Sequence, residues 1–138
     1  MNLQGESCPC KSGKNYRECC QPYHEGAPPE NALLLMRSRY AAYARGLAEY
    51  IIATTHPTNP SWPTEHTQRT QEILQFSQKT IFENLKILSF VDGDVEAYVT
   101  FTAYLKQGAK DASFTEKSRF FKVNGRWLFA EGERSLPQ

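Results

Sequence analysis

No cysteine follows Cys20, no internal repeat or low-complexity tract appears, and no apolar run approaches the roughly 18 residues of a membrane-spanning helix. The absence of a long apolar run argues against a membrane-bound protein, and the absence of repeats leaves ordinary globular packing. The opening stretch Met1-Asn2-Leu3-Gln4-Gly5-Glu6 lacks the apolar centre of a secretory signal, so the chain is expected to stay in the reducing cytoplasm. Neither sign of charge dominates: 16 Lys and Arg stand against 15 Asp and Glu, which gives no overall electrostatic footprint for nucleic acid. Any anionic partner would have to be read by a local patch. No Ser–His–acid set and no defensible carboxylate pair occurs, so no catalytic residue is assigned. An enzyme is the less favoured expectation.

What is present is concentrated at one end. All four cysteines lie in the segment Cys8-Pro9-Cys10 … Cys19-Cys20. Two short pairs across a small loop can wrap four thiolates around one tetrahedral ion, and Gly13 supplies a flexible residue for the knuckle. Lys11, Lys14 and Arg17 can offset the negative charge of such a centre and favour the thiolate form. A disulfide framework is the alternative, with three pairings open to four cysteines. It would require a strained ring between neighbours or a tiny knot. The two-residue spacer of redox dithiols is absent, and Cys8 occupies the position where a phosphate loop needs its first glycine. Four protein ligands leave no open position for a metal-bound water, so a catalytic metal is not expected.

The run Cys8-Pro9-Cys10-Lys11-Ser12-Gly13-Lys14-Asn15-Tyr16-Arg17-Glu18-Cys19-Cys20 closely resembles the SEC-C motif. That motif is the zinc-binding tail of the SecA translocase ATPase and is found in many bacterial proteins. The resemblance implies zinc bound by Cys8, Cys10, Cys19 and Cys20, with iron the alternative for an all-sulfur site. Lys11 departs from the motif, where glycine is usual. The motif's last ligand is cysteine or histidine; Cys20 fills that place, which makes His24 a neighbour.

With 138 residues and 40% hydrophobic content, the chain can form one modest domain beside this knob. Pro22 and Gly26-Ala27-Pro28-Pro29 mark the seam, giving a knob over 1–26 and a body over 27–138, with the knob expected to be a separate folding unit. A helix is predicted from about Glu30 to Thr54, with Leu33, Met36, Tyr40, Tyr43, Leu47 and Tyr50 along one stripe. A second is predicted from Thr67 to about Lys79, preceded by Pro63 and capped by Thr64, burying Ile73, Leu74 and Phe76. Four antiparallel strands follow: Leu85–Val91, Val95–Lys106, Ala112–Val123 and Arg126–Gly132. Asp92-Gly93 and Asn124-Gly125 are expected to form two-residue hairpin turns. The fold class is α+β, with helices on one face of a curved sheet.

Helices followed by a long meander ending in Gly125-Arg126-Trp127 resemble the nuclear transport factor 2-like (cystatin-like) cone. Joined to the knob, the stretches Glu30 to Ala44, Ala53-Thr54-Thr55-His56-Pro57 and Glu116-Lys117-Ser118-Arg119-Phe120 resemble the bacterial YchJ-like family. The likeness spans residues 8 to 132 and implies fold and metal site without implying a reaction.

A pocket within such a cone is expected to be lined by Arg37, Tyr40, Tyr43, His56 and Arg119, a set suited to an anionic or carbonyl ligand. The competing expectation is structural: the tyrosines in the core, the arginines paired with Glu116, Glu131 or Glu133, and His56 in a loop. Two functions follow. The favoured one is a zinc-binding interaction module whose knob presents Tyr16, Lys11, Lys14 and Arg17 to a protein or ribosomal partner. The other is a small-molecule-binding protein or enzyme using the cone.

Overall fold

The computed structural model describes residues 6–62 and 65–135, so the cap expected at Thr64 and the turn residue Pro63 lie outside the described residues. The knob begins as a tight hairpin, closed by the Ser7–Asn15 bridge. A 3₁₀ turn (Tyr16–Glu18) then leads into the one-turn helix α1 (Gln21–His24). Asn31 starts α2 (Ala32–Arg45), its side chain accepting a hydrogen bond from the Leu34 amide at 2.9 Å, which satisfies one of the free N–H groups of the first turn.

The long helix expected to reach Thr54 is broken. Gly46 adopts a left-handed φ of 72° and ends α2, and the chain resumes as α3 (Ala48–Ala53). A glycine after a basic residue is the usual helix stop. The break folds α3 back, so that the Tyr50 hydroxyl meets the Ser38 hydroxyl at 2.7 Å. Leu47 and Tyr50 therefore do not continue the predicted stripe.

Helix α4 (His66–Lys79) is capped by Glu65, whose carboxylate accepts from the Gln68 amide. Ile73, Leu74 and Phe76 are half-buried, and the buried residue of α4 is Arg69.

The strands are β1 (Ile81–Val91), β2 (Glu96–Gln107), β3 (Lys110–Asp111), β4 (Phe114–Val123) and β5 (Arg126–Ser135). They form one antiparallel sheet in the order β1-β2-β4-β5, with β3 pairing the end of β2. The β4–β5 turn follows expectation: Asn124 and Gly125 both take positive φ, 52° and 80°, which matches strand twist. Asp92-Gly93 does not form the same turn. The last pair of β1 with β2 is Val91 with Tyr98, giving a longer loop in which the Glu96 backbone closes on Gly93. Register shifts in β1 and at Arg119/Phe120 in β4 bend the sheet.

Leu35, Met36 and Tyr40 of α2 pack on Val99, Phe101, Leu105, Phe120 and Trp127 of the sheet, forming the main core. Leu35 and Phe120 are fully buried, so truncating either to alanine is worth about 2–5 kcal/mol.

Candidate metal centre and cone cavity

The knob's backbone shapes the thiol cluster. The Cys8 amide donates to the Lys14 carbonyl at 2.9 Å and the Lys11 amide to the Cys8 carbonyl at 3.1 Å, curling the knuckle around the sulfurs. Lys11 takes a φ of 65° and Gly13 a φ of 90°. The lysine thus occupies a left-handed position that favours glycine.

The four Sγ atoms lie within 4.8 Å of one another. Cys10 and Cys19 are 3.5 Å apart, and Cys19 and Cys20 are 3.9 Å apart. Metal–sulfur bonds of about 2.3 Å in a tetrahedron place sulfurs about 3.8 Å apart, so the cage has the size of an MS₄ centre. All four cysteines are free, with Cys8, Cys10 and Cys20 buried. Sulfur hydrogen bonds from Cys20 and then Cys8 hold the Cys10 thiol far below the usual range. The contact with Cys10 pushes Cys8 up to about 12, and contacts with Cys10 and Cys8 raise Cys20 as well. A cation would draw the four sulfurs into the thiolate form together.

The cluster's surroundings suit a negative centre. Ser12 Oγ lies 3.2 Å from Cys19 Sγ, and Arg37 Nη1 donates to the Cys10 carbonyl at 3.0 Å with Cys10 Sγ at 3.9 Å. Such neighbours orient ligands and offset charge.

The knob is docked on α2. Ala41 packs into the cluster of Cys8, Cys10, Tyr16 and Cys20. His24 joins knob to body: its Nε2 donates to the Ser38 carbonyl at 2.8 Å, which fixes Nδ1 as acceptor of the Tyr16 hydroxyl at 2.7 Å. Its ring also meets Tyr50 edge-on at 4.8 Å. Burial holds the His24 pKa below its ordinary value. The Arg45 guanidinium lies 4.3 Å from the Tyr16 ring centre. Tyr16 is therefore buried against the body and is not presented to a partner, whereas Lys11, Lys14 and Arg17 are exposed.

Between α2, α4 and the sheet lies a cavity of about 320 Å³, walled by Met36, Phe76, Phe82, Phe101, Phe120 and other apolar side chains. Of the five predicted pocket residues, Tyr40 and Tyr43 line it. The Tyr40 hydroxyl is bound to the Asn84 carbonyl at 3.0 Å. Arg37 faces the knob instead. Arg119 lies on the opposite side of β4, since Glu116, Ser118 and Phe120 take the cavity side and strand alternation sends Lys117, Arg119 and Phe121 outward. There Arg119 pairs with Glu96 at 2.8 Å and Glu131 at 3.3 Å. His56 stacks edge-on against Phe121 and bonds Thr58, so the predicted set does not converge.

The polar groups that do enter the cavity are Arg39 of α2, Glu72 of α4, Glu116 and Ser118 of β4 and Arg134 of β5. Glu116 is neutralised by Arg134 at 2.9 Å and accepts from the Ser118 hydroxyl. Arg39 escaped the predicted stripe although it lies three residues after Met36 and four before Tyr43, the helical spacing that marks a shared face.

Residues 6–22 match the model of the SEC-C motif, and residues 31–132 match the model described as YchJ, middle NTF2-like domain. The chain belongs to the YchJ-like family. It is 34% identical over 134 residues to a UPF0225 protein of Actinobacillus succinogenes, covering 94% of this chain and 83% of that one. Among solved structures, a SEC-C motif containing protein from Rhodopseudomonas palustris is 34% identical with a TM-score of 0.78, covering 91% of this chain and 96% of the other. Another, from Psychrobacter arcticus, is 25% identical with a TM-score of 0.79, covering 100% of this chain and 88% of the other. The α+β cone with an N-terminal cysteine cluster is thus a family arrangement, and no described helix is long and apolar enough to cross a membrane.

Proposed function

We propose that this family member is a cytoplasmic zinc-binding interaction protein. Zinc held by Cys8, Cys10, Cys19 and Cys20 fixes the knob on α2, and the exposed Lys11, Lys14 and Arg17 dock on a protein or ribosomal partner. The observation that carries the proposal is a thiol cage of MS₄ size whose inner side is bonded to the body through His24 and Arg37 while its outer side is basic. Four sulfur ligands give zinc a closed, structural site, and reduced cysteines fit a reducing compartment. Replacing Lys11, Lys14 and Arg17 together by glutamate leaves every ligand in place. In a pull-down, the intact chain should retain partners that the charge-reversed chain loses at equal zinc content; identical capture by both would overturn the docking role.

The cone cavity favours a second function, small-molecule binding. Its volume of about 320 Å³ falls within the range of ligand pockets.

A further inference from the structure

A second cavity, of about 270 Å³, adjoins the cone and shares Arg39, Tyr43, Glu72, Ile73 and Phe129 with it. Two arginines line it, Arg39 from α2 and Arg69 from α4, and they are only 8% and 6% exposed. Neither is within ion-pair distance of a carboxylate among the described residues. All three hydrogen bonds of Arg39 leave from Nη1, to the Ile51 carbonyl and the Thr54 and Thr55 hydroxyls. This leaves Nε and Nη2 without a described acceptor but not sealed from the cavity, with the guanidinium 4.7 Å from the Phe129 ring centre. The Arg69 guanidinium makes no described hydrogen bond and lies 5.8 Å from the Trp62 ring centre. Buried guanidinium groups are ordinarily paired or fully hydrogen-bonded, because desolvating an unpaired charge is costly. Burial lowers the Arg39 pKa, opposed by Tyr43 and Glu116, and the nearby Arg69 charge adds a smaller lowering. Two like charges thus line one cavity, where the carboxylate beside them is the exposed Glu72.

We infer that the two adjoining cavities form one site for a small amphipathic carboxylate, its head between Arg39 and Arg69 and its apolar body among the cone's aromatic side chains. The inference rests on the second function above and names its ligand class. Charge decides for a monoanion. Arg39 and Arg69 bring two positive charges, and Glu72, which also lines both cavities and accepts from Gln68 at 3.2 Å, brings one negative charge. The Arg134–Glu116 pair in the cone cancels itself. One negative charge on the ligand balances the remainder, whereas a dianionic phosphate would overshoot it. A carboxylate also fits the planar guanidinium fork. The cone's apolar walls supply the surface for an aromatic or short aliphatic body.

The test uses the full zinc-loaded chain and three probes: 3-phenylpropionate, its neutral amide and inorganic phosphate, titrated by calorimetry and followed by amide chemical shifts. The acid should bind at least about tenfold more tightly than the amide. Arg69→Gln should abolish that preference without lowering the melting temperature, since the Arg69 guanidinium makes no ion pair among the described residues. Glu72→Gln should tighten the acid at least about threefold by removing a competing charge. Arg39→Gln should also abolish the preference; should it fail to fold, the Arg69 and Glu72 variants decide. Equal binding of acid and amide would leave a cone that binds small molecules but overturn the carboxylate assignment. No binding of any probe up to about 10 mM, a level weaker than typical ligand sites, would overturn both. Phosphate binding as tight as the acid, or an acid preference that survives in Arg69→Gln, would equally refute the inference.

Discussion

Replacing His24 by leucine tests whether the knob is part of the body's architecture or an appendage. The substitution keeps apolar bulk but removes the bond from Nε2 to the Ser38 carbonyl and the acceptor of the Tyr16 hydroxyl. Each such bond is worth about 1 kcal/mol net. The edge contact with Tyr50 adds about 0.5–1.5 kcal/mol. The sum is about 2.5–3.5 kcal/mol, which for a domain of this size corresponds to a fall in melting temperature of about 10 °C. Calorimetric melts at neutral pH, with metal content measured on the same samples, read both quantities. A pH series adds an independent signature. The buried imidazole is held below its ordinary pKa, so on acidification the unfolded chain takes up the proton first. Stability from this group is full above about pH 6.5 and is lost as pH falls below that value. Reprotonation of the thiols lowers stability in acid for parent and variant alike, so the difference between their curves isolates His24. A variant melting within about 2 °C of the parent would refute the docking role.

Three further outcomes follow from the same contacts. Lys11→Gly should raise the knob's stability by about 1 kcal/mol, because Lys11 holds a left-handed φ of 65° that costs a non-glycine residue about that much; chelator midpoints at fixed pH measure it, and an unchanged or lower midpoint would show that the lysine side chain compensates. Arg119→Ala should leave the melting temperature close to the parent's, since its pairs with Glu96 and Glu131 lie on the open face of the sheet and exposed pairs are screened by solvent, and should leave any cone ligand's affinity unchanged. Gly132→Ala should destabilise by about 2 kcal/mol or more, because an added methyl group would collide with the buried Glu116 carboxylate; a melt equal to the parent's would show that the carboxylate moves at no cost.

Legibility in the sequence followed how local each signal was. The thiol cage could be anticipated because its ligands and knuckle lie within one short segment, and the Asn124-Gly125 hairpin because two residues determine it. The end of α2 was equally local, in Arg45-Gly46, but the continuing apolar periodicity through Leu47 and Tyr50 masked it. The cone's lining was harder to read. Strand alternation correctly separated Glu116 and Ser118 from Lys117 and Arg119, yet with Phe120 on one side and Phe121 on the other nothing local says which side meets α2. The packing of Phe120 in the core settles it. Arg39 and Arg69 were obscured for another reason: helical charge normally marks the solvent face, and only the tertiary arrangement of α2, α3 and α4 encloses them. The docking of the knob likewise depends on His24 reaching Ser38 and Tyr50 across the Pro28-Pro29 stretch.

X-ray absorption at the zinc edge reads a closed zinc centre built from Cys8, Cys10, Cys19 and Cys20 without intermediaries. Protein purified under reducing conditions should hold about one zinc per chain, with a first shell of four sulfurs at about 2.3 Å, and Cys19→Ser should lose most of the metal. Metal-free protein with paired disulfides, or a histidine nitrogen in the first shell, would contradict the account.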